Sequence, residues 1–95
     1  MPAYVIADIT VTKLDRYKDY VKKTPATVEK FGGKFIVRGG EVEVITGNWK
    51  PRRLVIIEFP NMATLKKWYQ SKDYQKISKI REEASTGSFI FVDGV

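Results

Sequence analysis

Three ionisable residues stand inside three separate apolar runs of the chain: Asp8 in YVIADITV, Arg38 in KFIVR and Glu58 in RLVIIEF. An arginine offers a permanent planar cation that holds a carboxylate or enolate-like oxygen, and a nearby carboxylate can act as general base. Arg38 with Glu58 or Asp8 is therefore the candidate catalytic group, for proton transfer, isomerisation or an oxidation driven by the substrate's own reactivity. The plainer account of the same residues is an ion pair that fixes the register of a packed interface. Five further residues are candidates for ligand binding. Trp49 sits in a polar loop, where it clamps a neighbouring subunit or covers a pocket. Arg53 follows it, suited to a carboxylate or phosphate, or else to a surface acid. Tyr69 and Tyr74 present hydroxyls or simply pack, and Arg81, seven residues after Tyr74, shares its helix face as an anion-recognition element or a solvated cation.

The composition removes most alternatives. In 95 residues there are no histidines and no cysteines, so the ligands of zinc fingers, His-ligated haem and Cys-ligated clusters are missing. So are Ser-His-Asp and Cys-His nucleophile pairs. No metal and no cofactor is expected. The formal charge of +6 would steer anions, but the basic residues are mixed with acids rather than blocked. That pattern describes a soluble surface better than a nucleic-acid footprint. No apolar run approaches the ~20 residues that span a bilayer, and the N-terminal residues lack the basic stretch of a signal, so the expectation is a cytoplasmic protein with no membrane partner. Gly39-Gly40 lacks the spacing and the following helix of a phosphate loop.

The elements that must position these residues follow from periodicity. Ala3 to Thr12 alternates as a strand. Leu14, Tyr17, Val21, Thr24, Val28 and Phe31 form one stripe of a helix, with Thr12 as its expected N-cap, Pro25 expected to kink or divide it, and Gly32-Gly33 ending it. Lys34 to Arg38 and Glu41 to Thr46 read as extended, joined by a glycine pair that makes either a hairpin turn or a bulge in one long strand. Arg53 to Phe59 is a strand closed by Pro60. Met62 to Ser71 and Tyr74 to Ala84 are helices, with Leu65, Trp68, Ile77, Ile80 and Ala84 on their buried side, and Phe89 to Asp93 is a last strand. This βαββαβ order is that of an α+β ferredoxin-like sandwich, an antiparallel sheet with helices on one face.

Alternation directs Val5, Ala7, Ile9, Val11, Phe35, Val37, Val55, Ile57 and Phe59 toward the helices. Tyr4, Ile6, Asp8, Ile36, Arg38, Leu54, Ile56 and Glu58 are left on the other face. That second face is too apolar for water, and a homodimer packed sheet to sheet would bury it. It also gathers Asp8, Arg38 and Glu58, provided that no strand shifts its register by one residue.

Together the runs YVIADITV, KFGGKFIVRGGEVEVITGNWKPRRLVIIEFP and WYQSKDYQKISKIR resemble a family of unknown function, DUF1330, across nearly the whole chain. The most specific match combines Gly32-Gly33, Arg38-Gly39-Gly40, Gly47-x-Trp49-x-Pro51-x-Arg53, Glu58-Phe59-Pro60 and Trp68-Tyr69-x-Ser71. The resemblance implies a ferredoxin-like protomer in a dimeric α/β barrel, and it carries no assigned activity. It places Arg38, Trp49, Arg53, Glu58, Trp68, Tyr69, Ser71, Tyr74 and Arg81 at recurrent positions, and Lys72 replaces the usual proline. Families on the same barrel include cofactor-independent monooxygenases, muconolactone isomerases, haem-degrading enzymes and stress-response proteins, so the fold alone does not assign a reaction. The expectation is a homodimer with a small-molecule pocket, for an anionic or oxygenated metabolite, between sheet and helices or at the dimer interface. The alternatives are a structural or regulatory dimer and a weak nucleic-acid binder.

Overall fold

A computed structural model describes residues 1–95. The chain runs β1 (Ala3–Val11), α1 (Leu14–Lys30), β2 (Lys34–Arg38), β3 (Arg53–Phe59), α2 (Met62–Gln70), α3 (Lys72–Ala84) and β4 (Ser85–Asp93). The strands form one sheet in the order β2-β3-β1-β4, with every neighbouring pair antiparallel. This is the βαββαβ ferredoxin-like arrangement. The Cα trace measures 35 × 33 × 16 Å, the thickness of one sheet and one helical layer, so the second sheet face has no cover within the chain.

Strict alternation along β1 builds the core. Ala3, Val5, Ala7 and Ile9 are buried, and they pair across the sheet with Phe59, Ile57, Val55 and Arg53 of β3. Leu65 and Trp68 of α2 and Tyr74, Ile77, Ile80 and Ala84 of α3 close over them. Trp68 is the centrepiece, its ring centroid 5.2 Å from that of Phe59 and 4.1 Å from that of Tyr74. The break between α2 and α3 falls at Ser71. Its hydroxyl donates to the Trp68 carbonyl at 2.7 Å and accepts from the Tyr74 amide at 3.2 Å, closing one helix and capping the next.

Several sequence expectations need correction. Thr12 is not an N-cap: Lys13 holds that position without a side-chain bond, and the Thr12 and Lys13 amides both donate to the Ala84 carbonyl. Glu41 to Thr46 forms no strand; it is exposed and irregular, and the outer edge of β2 is left without a partner strand. β4 starts four residues before Phe89, at Ser85, with pairing to β1 carrying a segment of small polar residues that has little strand character of its own.

Pro25 neither breaks nor divides α1, which is helical throughout from Leu14 to Lys30. A proline at position 25 has no N–H to give the carbonyl four residues earlier, that of Val21. Arg38 supplies the missing donor, its Nη2 lying 2.6 Å from the Val21 oxygen.

That contact depends on a β-bulge. Phe35 pairs with Ile57, but Val37 pairs with Ile56 and Arg38 with Val55, so Ile36 is an extra residue in β2. Past Ile36 the faces are exchanged. Val37 joins the open face and Arg38 turns under the helices, the reverse of what alternation predicts. The strand ends at Gly39, whose amide bonds the Leu54 carbonyl at 2.8 Å and whose φ is +70°.

Candidate functional site

The exchange of faces separates the expected catalytic group. Asp8 and Glu58 remain on the open face, opposite Leu54 and Tyr4 respectively. Four residues of β3 separate these positions, about 13 Å at strand rise. Both carboxylates serve local structure. Asp8 accepts from the Trp49 indole at 2.9 Å and from the Arg52 amide at 2.9 Å, and these bonds, the indole's first, hold its carboxyl below the ordinary value. Glu58 accepts from the Tyr4 hydroxyl at 3.2 Å and pairs with Lys34 at 3.4 Å. Trp49 itself is 61% exposed, beside Asp8 on the open side.

Arg38 instead joins Arg53 and Arg81 around a cavity between the sheet and the helices. Each arrives for a different local reason. Arg53 lies opposite Ile9 and so on the helix-facing side of the first residue pair of β3. Its guanidinium passes over the Tyr17 ring at 5.7 Å and lies against Gly39. A side chain at Gly39 would occupy the space of Arg53 Nη1, and the left-handed φ there suits glycine besides. Arg81 projects from α3, one turn beyond Ile77, with its guanidinium 4.4 Å above the Phe89 ring. Arg38 lies 4.3 Å above the Phe35 ring. Aromatic faces thus support all three cations.

Apart from Thr24, the remaining walls are apolar, among them Val5, Ala7 and Ile9 of β1, Val55 and Ile57 of β3, and Val21 of α1. No aspartate or glutamate lines the cavity, and none of the three arginines makes an ion pair. Arg53 Nε and Arg81 Nε are buried without any hydrogen-bond partner. Leaving one buried donor unsatisfied costs about 1–3 kcal/mol, and burial beside two other cations raises that cost. The arrangement is one that an anionic oxygen would complete. About 20 Å³ inside is open to the centres of water molecules, within about 400 Å³ of unfilled space that includes the mouth. The enclosed part has room for a group about the size of a water or a carboxylate oxygen, and the rest of the space lies toward the mouth.

Tyr20 and Tyr74 supply a second donor system. Their hydroxyls are 2.8 Å apart, with Tyr20 lining the cavity, Tyr74 behind it and Arg81 beside both. Burial raises both phenol pKa values, Tyr20 the further, while Arg81 pulls that of Tyr74 back. Both are protonated at neutral pH. A guanidinium only donates, so Arg81 favours acceptance at the Tyr74 oxygen, while in the Tyr20–Tyr74 bond either hydroxyl can donate.

Of the residues singled out from sequence, Arg38, Arg53 and Arg81 meet at one cavity and Tyr74 stands directly behind it. Tyr69 does not face it: its ring packs 5.8 Å from Phe89 and 5.4 Å from Phe91. Tyr17 and Tyr20 were not among the site candidates. The signal was there in the polar groups on the buried side of α1, where Tyr17, Tyr20, Thr24 and Thr27 all point inward.

Residues 2–95 match the family model described as "Domain of unknown function (DUF1330)". Among solved structures, the fold is similar to that of RPA0582, a protein of unknown function from Rhodopseudomonas palustris, with TM-score 0.77 and 18% identity over 99% of this chain and 82% of that one. HapK from Hahella chejuensis superposes with TM-score 0.64 and 11% identity, covering 98% and 92% of the two chains. SnoaB, a cofactor-independent oxygenase from Streptomyces nogalater, gives 0.63 and 8%, covering 99% and 93%. No curated protein sequence matches the chain significantly. No helix is long and apolar enough to cross a membrane.

Proposed function

The chain belongs to the DUF1330 family, and we propose that it binds a small organic anion in the cavity between its sheet and helices. Arg38, Arg53 and Arg81 hold the anionic oxygens, and the Tyr20 hydroxyl lines the site beside them. The observation that carries this reading is the pair of buried, unpartnered Nε atoms of Arg53 and Arg81 in a cavity without a single acid. Binding is the role these groups support. Tyr20 and Tyr74 are held protonated and no carboxylate faces the ligand, so no base stands ready to abstract a proton.

Calorimetry and thermal shift with sodium hexanoate test it. A ligand at one hundred times its Kd stabilises the folded state by about 2.7 kcal/mol. Arg53→Gln and Arg81→Gln should abolish the shift while the variants remain folded by circular dichroism. Undiminished binding by both variants, or no shift with acetate, hexanoate or benzoate on the native chain, rules the site out.

A second reading concerns assembly and rests on a separate observation. The open face carries Ile6, Leu54, Ile56 and Val37, with Ile90 54% and Val92 41% exposed at its β4 side. We propose that a second copy covers this face, sheet against sheet, as in other dimeric α/β barrels. Light scattering should give a dimer for the native chain and a monomer for Ile56→Glu; a monomeric native chain refutes it.

A further inference from the structure

The interior of the cavity is too small for a whole metabolite, so the body of the ligand must lie outside it. Beside the cavity runs a groove of about 380 Å³ along α1, and Tyr17, Val21 and Arg53 are walls of both. Arg53 therefore borders both spaces. The groove floor is apolar, formed by Val11, Val21 and a Leu14 that is 61% exposed. Its rim is cationic: Lys18 and Lys22, one helical turn apart, line it with no acid among its residues.

Neither lysine makes an ion pair, although acids are close on the same helix. Asp19 lies 3.9 Å from Arg16, which also reaches Glu83, while Asp15 pairs with nothing and does not line the groove. Two free cations edge an apolar groove that ends at Arg53, beyond which Arg38 and Arg81 line the cavity, and these charges mark both ends of a ligand.

We infer that the ligand is a dianion with an apolar spacer: one carboxylate-like head among Arg38, Arg53 and Arg81, the spacer on Leu14 and Val21, and a second anionic group at Lys18 and Lys22. This rests on the cavity being an anion site. It adds the charge at the far end and the class of molecule, an α,ω-dicarboxylate or a similar doubly charged acid.

Matched mono- and dicarboxylates test it: hexanoate with adipate, heptanoate with pimelate, and nonanoate with azelate, titrated calorimetrically at low and moderate salt. Each exposed pairing contributes up to about 1 kcal/mol, so at the fitting length the diacid should bind about five- to tenfold more tightly than its partner. The advantage should shrink with added salt. In Lys18→Gln/Lys22→Gln the diacid should fall to the affinity of the monoacid, which itself changes less than about twofold. Lys66→Gln/Lys67→Gln removes the same charge from α2, away from cavity and groove, and should preserve the advantage. Monoacids that bind with no gain for the diacid at any length overturn the dianion and leave the head site standing. So does an advantage that survives the Lys18/Lys22 variant or disappears in the Lys66/Lys67 one. Failure of every acid to bind the native chain overturns both.

Discussion

The contact between Arg38 and α1 can be isolated by a double-mutant cycle. Pro25 deprives the Val21 carbonyl of its helical donor, and Arg38 Nη2 takes that place at 2.6 Å. Hydrogen bonds to a charged group are worth about 1.5–3 kcal/mol. Arg38 is exposed to solvent, which screens the bond, so Arg38→Ala should cost about 1–1.5 kcal/mol. For a chain of this size that is a fall in Tm of roughly 4–10 °C. In a Pro25→Ala background the new amide at position 25 occupies the Val21 oxygen, and the same Arg38→Ala change should cost less than about 0.5 kcal/mol. Loss of the stacking on Phe35 occurs in both backgrounds and cancels. Pro25→Ala alone should be stabilising, since an interior helical proline carries a penalty of about 3 kcal/mol when nothing compensates it. Urea unfolding of the four proteins, followed by circular dichroism, gives the coupling directly. Equal costs of Arg38→Ala in the two backgrounds would show that the guanidinium does not substitute for the missing amide, and the account of why α1 survives its proline would be wrong.

Gly39→Ala forces a side chain into the Arg53 guanidinium at a left-handed φ; it should cost about 1–2 kcal/mol in urea unfolding and weaken hexanoate binding in the same preparation. The raised phenol pKa values predict an alkaline limit. Below the ordinary tyrosine value of 10.0 both phenols are protonated folded or unfolded, so their contribution is fully present there and is lost as the pH rises from 10.0 toward the folded values. Unfolding free energy should fall through that range, and Tyr20→Phe should flatten the slope; an unchanged slope contradicts the assignment. Trp49→Phe removes the strongest influence on Asp8, so its carboxyl titration by NMR should move upward, toward the ordinary aspartate value.

The strands and their inward residues were legible wherever one residue type alternates with another against a buried layer. Val5-x-Ala7-x-Ile9 and Val55-x-Ile57-x-Phe59 state their faces outright. The helices were legible for the same reason, through Leu65, Trp68, Ile77 and Ile80. The bulge at Ile36 was not, since Phe35-Ile36-Val37 offers an apolar side chain to either face and nothing local marks which residue is extra. The glycine pair at 39–40 drew attention to the place where the strand ends instead. Pro25 misleads similarly: its cost is visible in sequence, while the arginine that offsets it lies 13 residues away and faces it only because of the bulge. The segment 41–46 has the alternation of a strand, yet it pairs with neither edge of the sheet, and alternation alone does not mark which segments find a partner.

One residue thus decides which side of the sheet receives a positive charge. With Ile36 present, the phase of β2 inverts midway, so a five-residue strand sends Phe35 and Arg38 to the same side despite their odd separation. Deleting Ile36 removes the bulge and leaves Arg38 on the helix side, whereas a β2 that kept Ile36 in regular alternation would place Arg38 on the outer surface, opposite Leu54 and beside Asp8. Such a change lies beyond any substitution at Arg38 itself. In this architecture, whether one residue of a strand is bulged out or kept in step decides if recognition chemistry falls under the helices or on the outer sheet face, with every functional side chain kept.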